Sequence, residues 1–315
     1  MTANLDIVIV NWNAGDKLFE CLDSVQHSNA DPSYHLANCI VVDNASTDGS
    51  VDRIRSMDLP LQLIVNAENK GFGFACNQGA NCGSSEYILF LNPDVRLFSD
   101  SLSKSIAFME ARENQQIGIL GIQMTDQSGA IHRNVARFPS PGSLFYQMLG
   151  LDRLWPRRFP PHFMTDWAHL ESRIVDQVPG AFFLIRRSLF QALNGFDERF
   201  FMYFEDLDLA YRARAAGWPS YYLASLRAFH HGGGTTNQVR SRRLFYVLRS
   251  RILYAAKHFG YGHALGLLLA SLTVEACARL GWSLVNLSAR NFLETLQAYA
   301  LYMRELPGLI QKIRN

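Results

Sequence analysis

With 315 residues, 48% of them hydrophobic, the chain can bury a core sufficient for one large domain or a domain with an appendage. Its formal net charge of +2 says little about partners, and no nucleic-acid partner is expected. The five cysteines, at positions 21, 39, 76, 82 and 277, form no CxxC pair and are odd in number, which excludes a disulfide framework or thiolate metal centre and points to a reducing compartment.

The opening stretch MTANLDIVIVNWN has no basic n-region, and its apolar run is too short for a signal peptide, so a cytoplasmic protein is expected. Short apolar, β-branched runs then recur at 5–10, 39–43, 61–66, 87–91 and 117–122, with helical spacing between the earlier ones, as in Leu18, Cys21, Leu22 and Val25. Two later runs, 180–187 and 220–229, join or flank the same sheet. Continuous apolar strands alternating with amphipathic helices predict an α/β fold, a mostly parallel sheet with helices on both faces.

In such a sheet, ligands bind beyond the carboxyl ends of the strands. The first strand ends in Asn11, Trp12 and Asn13, and the second in DNASTDGS with Asp43 at its tip. Asp43 either caps the following turn or accepts a hydrogen from a ligand such as the ring N–H of a pyrimidine. After the third strand comes NKGFGFACNQG, where Cys76 occupies the third glycine position of a dinucleotide fingerprint and rules that reading out. Asn69 and Gly71 remain at a helix start suited to phosphate, with Asn77 one to two turns in. The fourth strand is followed by Asn92, Pro93 and Asp94; one such aspartate suffices for a divalent cation that takes its other ligands from a diphosphate and water.

Between 132 and 176 the pattern dissolves into a Pro- and aromatic-rich stretch, read as a functional loop. Further on, YFEDLDLAYR places Glu205, Asp206 and Asp208 within four positions, directly after an aromatic run. Acids in a helix's first turn favour its positive end, and Asp208 with Arg212 is an i,i+4 pair, but that accounts for one or two carboxylates rather than three. In FHHGGGTT, His230 and His231 cannot both point the same way on an extended chain, and one of them could ligate a metal.

No Asp or Glu occurs from Leu209 to Val274, a stretch with eight arginines and Lys257. Its options are a solvated helical face or attraction to phosphates and an anionic membrane. From Val239 the character becomes helical, and 258–274 lacks Asp, Glu, Lys and Arg. Seventeen residues with three glycines favour a helix lying on a membrane, or packed on the first domain, over one spanning it. The expected division is a catalytic domain over 1–238 and a C-terminal helical, membrane-associating segment over 239–315.

Taken in order, VIVNWN, VVDNASTDGS, NKGFGFACNQG, LFLNPDV, GAFFLIRRSLFQALNGFDERFFMYFEDLDLAYRARAAGW and FHHGGG resemble glycosyltransferase family 2, in its bacterial rhamnosyltransferase-like branch. The resemblance covers about 5–236. It implies a GT-A fold and inverting transfer of a sugar, L-rhamnose from dTDP-rhamnose as the leading choice and a UDP-sugar as the alternative. The acceptor would be a saccharide or lipid-linked saccharide hydroxyl in cell-surface polysaccharide synthesis. It implies donor-nucleotide contacts from Asn11, Asp43, Asn69, Gly71, Asn77, Asn92 and Asp94, a Mg2+ or Mn2+ ion on Asp94 and His230, Asp206 as catalytic base, and acceptor contacts from Glu205 and Asp208. Asn92 stands where the usual DxD pattern has its first acid, which weakens the expected metal affinity. A nucleotidyltransferase would share the sheet but open with a Gly- and Arg-rich loop that NWNAGD lacks; a non-catalytic nucleotide-sugar binder would lack a working base.

Overall fold

The computed structural model describes residues 2–28, 33–232 and 240–314. Two compact units divide the chain: residues 1–137, 163–198 and 205–235 form one, and 138–162, 199–204 and 236–315 the other. The expected boundary near 238 lies outside the described residues.

The first unit holds a single sheet of nine strands among the described residues: β1 (Ala3–Asn11), β2 (Tyr34–Asp43), β3 (Leu61–Val65), β4 (Tyr87–Leu91), β5 (Val95–Leu97), β6 (Ile119–Thr125), β7 (Arg173–Val175), β8 (Phe182–Arg186) and β9 (Ser220–His230). Their order is β3-β2-β1-β4-β8-β6-β9-β5, with β7 pairing on β9. The expected parallel arrangement holds for β1 to β4. Beyond β4 the sheet is mixed, because β8 enters antiparallel between β4 and β6 while β9 runs parallel to β6. Strands this apolar are buried on both faces, as Ile7, Val8, Ile9 and Val41 are, and need helices on each side.

The Asp16–Ser28 helix supplies one cover through Leu18, Cys21, Leu22 and Val25, the spacing read from the sequence. The Phe72–Ala80 helix supplies another, and Gly79 lets it approach closely: a Cβ there would stand 2.5 Å from a Val8 methyl. The register aligns Ile9 with Leu91, and Asn11 with Asp43, so the strand ends that carry polar residues reach one edge together.

The second unit is helical, built from Pro141–Met148, Leu151–Leu154, Arg240–Phe259, Tyr261–Ala270, Ala276–Val285 and Ala289–Arg314, with a π-helical turn at Ser271–Glu275. The stretch 132–176, read as loop, is thus corrected. Ser140 caps a helix by accepting from the Ser143 N–H (3.1 Å), with Pro141 in the first turn where its missing N–H costs nothing. Acids beyond its end answer two arginines of the basic stretch: Arg249 pairs with Glu305, and buried Arg251 with buried Glu275, which Arg279 also contacts. Burial would raise the Glu275 carboxyl, but Arg251 and Arg279 hold it below the ordinary range.

Candidate active site

At the end of β1 and β2, Asn11 and Asp43 are buried side by side. Asn11 Nδ2 donates to Asp43 Oδ1 (2.7 Å) and to the Ser50 and Ser46 hydroxyls (2.8 and 3.0 Å), while Asp43 Oδ2 accepts from the Ser46 N–H (3.0 Å). Asp43, 2% exposed, therefore fastens its own strand-end turn, and each carboxylate oxygen retains one lone pair for a ligand. Asn11 Oδ1 is buried with no hydrogen-bond partner.

The Phe72–Ala80 helix opens at Gly71, whose φ of 96° is open to glycine and strained for other residues. Asn69 Oδ1 accepts from the Gly71 N–H (2.9 Å), leaving the helix start shaped by a short polar turn. Asn77, expected at the nucleotide, is engaged within the protein: its Nδ2 donates to Phe196 O and Glu198 Oε1 (2.9 Å each) and its Oδ1 accepts from the Phe196 N–H (2.9 Å), so the amide bolts the helix to the 196–198 turn with both donor hydrogens taken.

After β4 the chain turns through Asn92, Pro93 and Asp94 into β5, which pairs antiparallel with β9 so that Val95 faces His230. That ladder sets His230 Nε2 3.3 Å from Asp94 Oδ1, both side chains 13% exposed. Strand alternation sends His231 the other way, 3.6 Å from Glu20 Oε2. His132, which the sequence reading did not single out, lies edge-on to His230 with ring centroids 5.7 Å apart. Among the described residues no group of three or more His, Cys, Asp or Glu could hold an ion. Asp94 and His230 would hold a cation only if it drew its remaining ligands from substrate and water. Two cis positions of an octahedron with Mg2+-length bonds are roughly 3 Å apart, near the observed spacing.

The third cluster gathers at the Glu205–Ala215 helix, entered through Tyr203 and Phe204 with φ of 66° and 71°. Asp206 is half-buried, its Oδ1 accepting from the Leu207 N–H (2.8 Å). Burial pushes its carboxyl up, against the lowering pull of the Leu207 N–H, the Gln177 side chain and the Gly180 N–H. Gly180 packs directly against it, and a Cβ there would stand 2.9 Å from Asp206 Oδ2, so that the carboxylate would have to shift. Glu205 is buried with Oε2 unpartnered, and burial together with the Asp206 charge raises its carboxyl well above the usual range. Asp208 and Glu205, expected to contact the acceptor, are both turned inward. Asp208 is fully buried and accepts from Arg212 Nε (2.8 Å), whose other nitrogens hold Leu193 O and Gly195 O. Glu205 faces inward, with 6% exposure.

One backbone link joins the second and third clusters. Asn92 N–H donates to Ala181 O (3.0 Å), and the preceding Gly180 lies against Asp206, so the NPD turn and the Asp206 carboxylate share the edge where β4 ends and β8 begins. The sequence matches Glycosyl transferase family 2 over residues 6–193. The chain belongs to this family. As a family 2 glycosyltransferase it is an enzyme, and the solved structures agree on its GT-A fold. A mannosyltransferase from Pyrobaculum calidifontis, solved with GDP-Man and Mn2+, superposes with a TM-score of 0.54 over 96% of this chain and 88% of that one, at 14% identity. TarS 1-349 of S. aureus with UDP-GlcNAc gives 0.53 over 99% and 82%, at 17% identity. Among curated relatives, the N-acetylglucosaminyl-diphospho-decaprenol L-rhamnosyltransferase of Mycobacterium tuberculosis is 29% identical over 280 residues, spanning 84% of this glycosyltransferase and 88% of that protein. Rhamnosyltransferase WbbL of Escherichia coli K12 is 29% identical over 174 residues, 55% and 62% of the two chains.

Gln177 and Gly180 were not legible as site residues, because only the fold carries them to Asp206.

Proposed function

We propose that the chain is an inverting glycosyltransferase that moves L-rhamnose from dTDP-rhamnose to a hydroxyl of a lipid-linked saccharide, with Asp206 as base. The observation that carries the reading is the shared edge of Asp94 and Asp206 beside the Gly180–Ala181 turn. The rhamnosyl donor and lipid-linked acceptor are supported by the names of the two bacterial relatives. A UDP-sugar remains the second donor, since uracil offers the same ring N–H as thymine to the Asn11–Asp43 pair.

Asp206 takes the proton of the acceptor hydroxyl as that oxygen bonds to the anomeric carbon and the diphosphate departs from the opposite face, which inverts configuration. A carboxylate with an ordinary pKa is a weak base toward an alcohol, and the upward push of burial on Asp206 improves the match. The Gly71 helix start and the Asn69 turn face the donor phosphates, where N–H groups favour anions. A Mg2+ or Mn2+ ion held by Asp94 and His230 would supply Lewis-acid relief of the charge on the leaving diphosphate.

We further place the enzyme in the cytoplasm, peripheral on the inner membrane face. Tyr261–Val285 is apolar and long enough to cross a bilayer, with mean hydropathy 1.5 and a third of that window buried. Buried Glu275 in its middle, paired to Arg251, suits a helix lying at the surface, with Trp282, Val285 and Leu287 exposed to insert. The donor reading is tested by titrating dTDP and UDP with and without Mn2+, followed by a mass-spectrometric screen of nucleotide sugars. No nucleotide binding under any condition would end it.

A further inference from the structure

The helical unit is joined to the base by the chain itself. Its middle piece, 199–204, carries no helix or strand and ends one peptide bond before Glu205 and two residues short of Asp206. That piece closes on Tyr203 and Phe204, both left-handed, with φ of 66° and 71°. Bulky side chains disfavour that region, and two such residues in succession persist only where their surroundings over-determine them.

Those surroundings lie within the helical unit, on the Arg240–Phe259 helix. Tyr246, Arg249, Ser250 and Tyr254 stand at i, i+3, i+4 and i+8, on one face of it. Each grips the piece at a different point. Arg249 Nη1 donates to Arg199 O (2.9 Å), and the Ser250 hydroxyl donates to Met202 O (2.9 Å). The Tyr246 ring stacks on Phe201 with centroids 4.6 Å apart and planes at 23°, and the Tyr254 ring meets Phe204 at 5.5 Å. Arg249, Ser250 and Tyr254 are buried, and Arg249 Nε donates to Glu305 (3.3 Å), so the grip is itself fixed.

Met202 O is the carbonyl directly before the left-handed pair. With Met202 held, the torsions of Tyr203 and Phe204 set the direction in which the chain leaves for Glu205, and hence where the Asp206 carboxylate stands. A helix that only anchors the chain to a bilayer needs an apolar outer face; side chains turned onto this one piece serve another end. We infer that Arg249 and Ser250 are positioning residues for Asp206, through which the helical unit holds 199–204 in its strained form and so sets the base. The inference rests on the proposed role of Asp206 for what is positioned. Placement matters at this scale, since a displacement of about 1 Å can cost roughly 10²-fold in rate.

The test compares the whole chain with the Arg249→Met, Ser250→Ala double variant, by hydrogen exchange and by dTDP release from dTDP-rhamnose. Amides over 200–207, among them the Leu207 N–H that bonds Asp206, should exchange roughly tenfold or more faster, while those of β1 and β4 stay as in wild type. The kcat should fall roughly tenfold to 10²-fold with dTDP affinity unchanged. Tyr246→Ala removes only the ring against Phe201, from a half-buried position, and should show the same pattern more weakly. It decides the matter if the double variant does not fold. Unchanged exchange over 200–207, protection lost across β1 and β4 as well, or faster exchange with kcat intact would each overturn the inference. A wild type that releases no dTDP sinks the donor reading instead, and full turnover in Asp206→Asn sinks the base. In either case the exchange comparison still decides whether the helix holds 199–204.

Discussion

Two buried carboxylates at opposite ends of β8 show what separates scaffold from site in this chain. Asp6 is fully buried and accepts four hydrogen bonds: from Asn38 (2.7 Å), the Ser85 hydroxyl (2.8 Å), the Ser85 N–H (3.0 Å) and Arg187 (2.7 Å). Arg187 in turn donates to Ser85 O and Ala80 O (2.6 and 2.7 Å), so every charge there is answered. Glu205 is nearly as buried, yet it leaves Oε2 bare and has Asp206 for a neighbour. Equal burial with opposite satisfaction is the mark of a functional edge, where charge is kept uncomfortable for use.

The comparison is broken most directly at Asp206. Asp206→Asn should lower kcat by roughly 10²–10⁴-fold, the usual range for a lost general base, while dTDP affinity and the unfolding midpoint stay close to wild type. Turnover above a tenth of wild type would remove the base assignment. On the scaffold side the expectation reverses. Asp6→Ala strands the Arg187 guanidinium inside the protein and should cost about 3–5 kcal/mol in urea unfolding, with nucleotide affinity of the folded fraction unaffected. A loss under 1 kcal/mol would show that the hub is not what holds β1, β4 and the segment after β8 together.

A smaller effect is expected at the metal pair. His230→Ala should reduce the Mn2+-dependent gain in dTDP affinity by roughly tenfold or more, leaving metal-free binding unchanged. His231→Ala, which points at Glu20, should leave that gain intact. Equal losses in both variants would place the ion elsewhere.

Much of the scaffold was legible because it is written in local patterns. The apolar runs marked seven of the nine strands, and the Leu18–Val25 spacing marked the first helix. Val95–Leu97 and Arg173–Val175 were not legible, since three residues carry no periodicity and pair only through β9. Nor was the antiparallel entry of β8, because an apolar run does not state its direction. At the site, residue types and strand-end positions offered Asp94, one of His230 and His231, and one of Glu205, Asp206 and Asp208, and the family resemblance chose among them, whereas which side chains remain open depended on distant partners. Asn77 and Asp208 look like ligands in the sequence, yet Phe196 and Arg212 occupy them. Gln177 and Gly180 look like nothing, yet both touch Asp206.

The finest test of the contrast is a pH series on Glu205. Burial and the Asp206 charge raise its carboxyl, so the folded state holds that proton to higher pH than the unfolded chain does. The resulting stability is fully present below the unfolded carboxylate pKa, roughly 4.3, and is lost as pH rises through the elevated folded value. Glu205→Gln removes the titration without changing shape. Its advantage in Tm over wild type should therefore be small at pH 4 and grow toward pH 8, where about 1 kcal/mol corresponds to roughly 2–4 °C. Glu205 keeps its proton while Asp206 ionises, so the same variant should leave the acid limb of the kcat profile where it is. A Tm difference that stays flat with pH would mean that Glu205 is satisfied in solution and that the two ends of β8 are alike.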